Sequence, residues 1–185
     1  MKNSEKRRVR LFIAASLDGY IAGPGGGIDW LFHDQDYGYT DFLASVDTVL
    51  MGRRSYEASL AFEPWPYPGM APWVFTRHPE AFDDPRVTFT ARPPADVVAR
   101  IRKKKGRDLW LLGGGEIVRA FLDAALVDEI VLAIHPIVLG RGIPLFPEGT
   151  RRTALRLTGS RAYDSGLVML TYAVGKGEKV RRSSR

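Results

Sequence analysis

Three short clusters in this chain carry residue types suited to holding a phosphate. In the first, Leu109-Trp110-Leu111-Leu112 runs straight into Gly113-Gly114-Gly115, and then into Glu116-Ile117-Val118-Arg119-Ala120-Phe121-Leu122. Three glycines between an apolar strand and a helix let the backbone approach a ligand with no Cβ in the way. The free N–H groups and positive end of the helix then face an anion. A nucleotide pyrophosphate on the first turn of the 116–123 helix is one reading, with Glu116 completing the turn. A tight strand-to-helix turn is the other, and these residues alone support both. Position 118, where a G-x-G-x-x-G fingerprint would place its third glycine, is Val118, and no Walker A loop occurs.

The second cluster, Gly52-Arg53-Arg54-Ser55, follows the apolar stretch Thr48 to Met51 and opens a helix. An arginine in a first turn opposes the helix dipole by about 0.3–1 kcal/mol, a penalty that a bound phosphate would reverse. The third, Thr76-Arg77-His78, ends the apolar run Trp73-Val74-Phe75. Guanidinium forks suit a phosphate dianion. Each cluster also has an ordinary reading as solvated cations, a cap or a turn, and their recurrence at strand ends carries the functional one.

The elements that must position them alternate along the chain. Val9 to Ala15 is an apolar strand, and Ser16 to Asp29 is a loop with five glycines, which is either a lid or a long connection. Helical spacing follows through Phe32, Phe42, Leu43 and Val46. After Thr48 to Met51 comes the proline-rich connection 63–72. Trp73 to Phe75 and Val87 to Thr90 are strands, and 93–103 is an amphipathic helix. Val127 to Ile134 is a long apolar strand, and 154–162 and 167–174 form an antiparallel hairpin about the turn 163–166. The expected fold is α/β, with three layers: a mostly parallel sheet of about eight strands, an antiparallel C-terminal hairpin and about four helices. In such sheets the ligand lies outside the carboxyl ends of the strands, where the three clusters would converge.

Composition narrows the function classes. The 185 residues suit one full-sized domain. The net charge of +6 is concentrated in residues 1–8 (Lys2, Lys6, Arg7, Arg8) and 175–185 (Lys176, Lys179, Arg181, Arg182, Arg185). We read these as disordered basic tails on a nearly neutral domain spanning 9–174, without the basic face of a nucleic-acid binder. There is no cysteine, so thiolate metal sites and disulfides are excluded. His33, His78 and His135 form no H-x-x-x-H pair, and no metal is expected. The longest apolar run near the N-terminus, Leu11 to Ala15, is too short for a signal sequence or a membrane span, so a cytoplasmic location away from membranes is expected.

Five stretches taken in order resemble the dihydrofolate-reductase-like superfamily, in the branch that includes the reductase domain of bifunctional riboflavin-biosynthesis proteins. They are Ser16-Leu17-Asp18-Gly19-Tyr20-Ile21-Ala22, Met51-Gly52-Arg53-Arg54-Ser55-Tyr56-Glu57, Val74-Phe75-Thr76-Arg77, Leu111-Leu112-Gly113-Gly114-Gly115-Glu116 and Leu139-Gly140-Arg141-Gly142-Ile143-Pro144-Leu145-Phe146. Tyr20 and Gly113 depart from that branch, which usually has lysine and glutamate there, and no deaminase domain is seen in these residues.

The resemblance implies an NADPH-dependent reductase acting on a small planar heterocycle: a pterin, a folate or a pyrimidine. Ala14 would border the nicotinamide through its backbone. Gly52, Arg53, Arg54 and Ser55 would hold the pyrophosphate and 2′-phosphate. Thr76, Arg77 and His78 would contact the 2′-phosphate and adenine, and Gly113, Gly114, Gly115, Glu116 and Ile117 would wrap the pyrophosphate. Folate reductases place one buried acid on the first helix, and Asp34, Asp36 and Asp41 compete for that role. Asp36 fits best by counting, and Asp36 and Trp30 are the candidate catalytic residues, with Trp30 and Phe32 as apolar neighbours that would raise the Asp36 pKa. A homodimer is also implied. The alternatives are the 5-amino-6-(5-phosphoribosylamino)uracil reductase of riboflavin biosynthesis and a non-catalytic nucleotide- or flavin-binding module.

Overall fold

The structure, a computed structural model, describes residues 6–175. Eight strands form one sheet: β1 (Val9–Ser16), β3 (Val46–Gly52), β4 (Ala71–Phe75), β5 (Thr88–Thr90), β6 (Asp108–Gly113), β7 (Glu129–His135), β9 (Leu155–Ala162) and β10 (Val168–Val174). Their order is β5-β4-β3-β6-β1-β7-β10-β9. Every pairing from β5 across to β7 is parallel, and β10 is antiparallel to both β7 and β9. The fold class expected from the sequence is therefore the one observed.

Helices cover both faces because the inner strands are apolar on both. Alternate residues of β1 and β6, Leu11, Leu109 and Leu111, pack with Val97, Val98 and Ile101 of α3 (Pro94–Arg102) and Val118 and Phe121 of α4 (Gly115–Asp123). Their neighbours face the other way. Trp110, Val49 and Met51 pack with Phe42 of α1 (Tyr39–Ala44) and Tyr56 of α2 (Arg53–Ser59). Phe121 is fully buried, and truncating such a side chain to alanine typically costs about 3–5 kcal/mol.

β1 pairs with β6 only from Val9–Leu11 to Leu109–Leu111, whereas it follows β7 as far as Ser16 opposite His135. Beyond Leu11 the sheet opens between β1 and β6 at their carboxyl ends. The indole of Trp110 spans that parting and donates to the carbonyl oxygen of Phe12 at 3.1 Å.

Three sequence expectations need correction. The loops 16–29 and 136–147 are not merely connections, because β2 (Tyr20–Ala22) pairs antiparallel with β8 (Ile143–Pro144). Asp18 pins the same pair of loops, its carboxylate accepting the N–H groups of Leu139 (3.1 Å) and Gly140 (2.7 Å). The helix expected through Phe32 is shorter: α1 starts at Tyr39, since Gly38 sits at φ 80° and breaks the periodicity before it. Arg7 and Arg8 do not belong to a loose tail. The Arg7 guanidinium pairs with Asp47 and donates to the hydroxyl of Thr48, and that of Arg8 pairs with Asp108. The remaining tail residues, 1–5 and 176–185, lie outside the described residues.

Candidate active site

In a parallel sheet the carboxyl ends share one edge, so register decides which clusters meet. Gly52 lies opposite Phe75, Phe75 opposite Thr90, and Met51 opposite Gly113. A cleft of about 640 Å³ opens beyond these ends, lined by Arg53, Thr76, Arg77, His78, Arg92 and, from the first turn of α4, Ile117 among others. Two bonds donated by backbone N–H groups lie beside it: Thr76 N–H donates to Thr90 O (3.0 Å), and Arg92 N–H donates to the Thr90 hydroxyl (3.1 Å).

Charge in the cleft is uneven. Arg53 is already paired with Glu57 one helical turn on (2.6 Å), and His78 sits beside Glu80 (3.4 Å). Arg77 and Arg92 are exposed and form no ion pair among the described residues. They are the free cations, and a phosphate dianion would meet two unopposed forks. Arg54 is exposed on α2 but is not among the cleft-lining residues, so the structure does not bring it to this group. Arg92 was missed in the sequence. The signal was available, since it stands two residues beyond β5 just as Arg77 stands two beyond β4.

The glycine turn is built for protein contacts as much as for a ligand. Gly113 has φ 131°, and a Cβ there would lie 2.7 Å from Ile13 Cδ1. A Cβ on Gly115 would collide with the carbonyl oxygen of Pro144 and lie 3.0 Å from Pro147 Cγ. At these two positions a side chain would meet β1 and the β8 segment, so the glycines serve packing within the protein besides the phosphate role expected of them. Gly114, at φ 87°, caps α4, and a Cβ there would be 3.3 Å from Ser55 Oγ. Ser55 in turn donates to Gly113 O (3.1 Å), tying α2 to the turn. Glu116 is exposed on the first turn of α4, where an acid favours the helix dipole.

On the opposite face, Ala14, Phe12, Phe32 and Tyr37 pack against a cluster that includes Val131 and Ala133 of β7. Asp36 is exposed there and does not reach an apolar pocket. Its carboxylate caps the start of α1, accepting from Thr40 N–H (2.9 Å), the Thr40 hydroxyl (2.7 Å) and Gly38 N–H (3.0 Å). Those bonds, from Thr40 first, lower its pKa, the reverse of the expected shift for a proton donor. Asp34 is exposed and likewise lowered, by the hydroxyl of Tyr37, and Asp41 is exposed on α1. The Trp30–Phe32 stretch meets His135, which accepts the Phe32 N–H at 3.1 Å and which the sequence reading left without a role. It stands just beyond an apolar strand run, the signal that marked the other clusters. Burial lowers its pKa.

Tyr39, the first residue of α1, packs against Phe12 and Trp110, and burial pushes its hydroxyl up to about 12. No helix among the described residues is long and apolar enough to cross a membrane.

Residues 7–169 match the family model of the RibD C-terminal domain. The uncharacterized protein YwjB of Bacillus subtilis (strain 168) is 41% identical over 162 residues, covering 85% of this chain and 93% of YwjB. A candidate riboflavin biosynthesis protein from Shewanella sp. PV-4 superposes with a TM-score of 0.80 at 29% identity, covering 91% of this chain and 99% of that one. Dihydrofolate reductase from Enterococcus faecalis, solved with NADP(H), shares the fold at a TM-score of 0.67 and 18% identity, covering 90% and 96% of the two chains.

Proposed function

Because this chain belongs to the RibD C-terminal domain family, we propose that it is an NADPH-dependent oxidoreductase that passes a hydride to a small planar heterocycle. The observation that carries this reading is the cleft at the strands' carboxyl ends, where Arg77 and Arg92 stand unpaired beside the first turn of α4. From there the parting of β1 and β6 leads to Ala14, so one extended dinucleotide could run from the arginines to β1. The two forks fit a 2′-phosphate, which favours NADPH over NADH.

NADPH would supply the hydride, and the residues of this chain would supply position. Arg77, Arg92 and the Gly114 turn hold the phosphates. Ala14, Phe12 and Phe32 offer an apolar surface beside β7. Hydrogen bonds hold the carboxyls of Asp34 and Asp36 below the usual carboxylate range, which makes both poor proton donors near neutral pH, and the proton is drawn from water.

The test is a thermal-shift comparison of NADPH and NADH, followed by NADPH oxidation with pterins, dihydrofolate and the phosphoribosylaminopyrimidine. A larger shift for NADPH is expected, approaching about 2.7 kcal/mol at a hundredfold excess over Kd. Equal shifts would overturn the NADP preference. Binding of NADPH with no turnover on any substrate would instead support a nucleotide-binding module.

A further inference from the structure

The end of the sheet opposite the cleft gathers cations that lie far apart in the chain. Its segments are drawn together by hydrogen bonds: Leu109 N–H donates to Arg8 O (2.8 Å), the Arg102 guanidinium to Arg7 O (2.9 Å), Asp128 N–H to Val9 O (2.8 Å) and Val174 N–H to Asp128 O (3.1 Å). The amino ends of β1, β6 and β7, the last turn of α3 and the carboxyl end of β10 therefore meet on one edge. Its acids are already answered, since Asp47 pairs with Arg7, Asp108 with Arg8, Glu129 with Arg10 and Asp128 with Arg102. Left over are Lys6, Lys103, Lys104, Lys105 and Arg107, all exposed and, among the described residues, in no ion pair. The dipole of α3 favours cations in its last turn, but Arg100 and Arg102 supply those, and Lys104 and Lys105 stand beyond it. From Gly175, whose N–H donates to Ala154 O (2.9 Å), the chain leads on at this edge into 176–185, which carries Lys176, Lys179, Arg181, Arg182 and Arg185 against Glu178. Summed along the chain the domain is nearly neutral, yet the fold separates its charges: Asp18 and Asp34 stand at the far, carboxyl end, beside Leu139 and His135.

Like charges crowded on one edge repel, a cost that a polyanion would remove. We propose that this amino edge is a second, non-catalytic site that holds the phosphate backbone of a double-stranded nucleic acid. Lysine ammoniums are point charges that meet phosphate oxygens without reading base edges, so the contact is independent of sequence. A duplex carries a charge about every 1.7 Å along its axis, enough for the run 103–107 to meet several phosphates in any register. That run, Lys-Lys-Lys-Gly-Arg, has no aromatic ring to stack on unpaired bases or to anchor among lipid headgroups, which favours a duplex over a single strand or a membrane. Because the cleft with Arg77 and Arg92 lies at the other end of the strands, nucleic acid and dinucleotide bind without competing.

The experiment follows the anisotropy of a labelled DNA duplex of about 20 base pairs and arbitrary sequence as the full chain is added, between about 50 and 200 mM salt. Binding is expected with a Kd of about 10⁻⁶–10⁻⁴ M near physiological salt, and log K should fall by about 0.9 per phosphate contact for each tenfold rise in salt. Replacing Lys103→Gln, Lys104→Gln and Lys105→Gln together should flatten that slope by about 2.7, and arginine at the same positions should restore it. No binding at the lowest salt, or a wild-type slope in the glutamine variant, overturns the proposal. Arg181→Gln with Arg182→Gln should weaken binding without abolishing it, and abolition would place the whole site in the tail and overturn the surface. Tighter binding of the matching single strand, or of phosphatidylserine vesicles at equal salt, overturns the duplex assignment. Saturating NADPH should leave duplex affinity unchanged, and competition between the two would put the nucleic acid in the cleft and overturn the second site.

Discussion

Gly115 lies so close to Pro144 that a Cβ on the glycine would collide with the proline's carbonyl oxygen. This contact seats the β8 segment on the first turn of α4 and so joins the loop at 136–147 to the glycine turn. Gly115→Ala must push β8 away, and its melting temperature should fall in the absence of any nucleotide. Gly114 meets milder neighbours but holds φ 87°, so Gly114→Ala should cost about 1 kcal/mol in strain and chiefly weaken NADPH. Melting curves with and without NADPH separate the two, and equal behaviour of both variants would show that the turn is structural throughout.

Arg77 and Arg92 share the cleft with no acid to neutralise them, whereas Arg53 is held by Glu57. Arg92→Ala and Arg77→Ala should each weaken NADPH about tenfold or more and leave NADH affinity nearly unchanged, since a charged hydrogen bond is worth about 1.5–3 kcal/mol. Arg53→Ala should have the smaller effect. Titration calorimetry with both nucleotides checks the order, and equal losses for NADPH and NADH would remove the 2′-phosphate from the cleft.

Asp36 caps α1 with three accepted hydrogen bonds and has a lowered pKa. Asp36→Asn should therefore lower the melting temperature by about 2–3 °C and leave turnover at neutral pH within about twofold of wild type. A loss of activity of a hundredfold or more in a variant with normal stability would restore Asp36 as the proton donor.

His135 is buried and neutral, and burial lowers its pKa from the usual histidine value. A depressed histidine pKa means that the unfolded chain binds the proton more readily, so stability is full above pH 6.5 and falls as the pH drops below it toward the folded pKa. Thermal melts between pH 7.5 and 5 should show this decline, and His135→Gln should flatten it. An identical slope in the variant would assign the decline to other groups.

Much of the fold was legible because it is written in short-range pattern. The run Leu109 to Leu112, buried on both faces, and the period-two stretches 155–162 and 168–174 state their own conformation whatever surrounds them. The three phosphate-suited clusters were legible for the same reason, since glycine or cation after a strand is a local signal. Pairing at a distance was not. Tyr20–Ala22 and Ile143–Pro144 carry no strand signature and pair because Asp18 and Gly115 bring their loops together across the fold. Nor can residue type tell a capping carboxylate from a catalytic one: Asp36 and a buried acid look alike until Thr40 and Gly38 are seen donating to it. Arg92 and His135 gain meaning only from register and burial, which arise when β1, β5 and β7 line up their carboxyl ends on one edge. Local sequence set the elements and the glycines and cations at their ends. Tertiary packing decided which glycines face protein and which cations are left free.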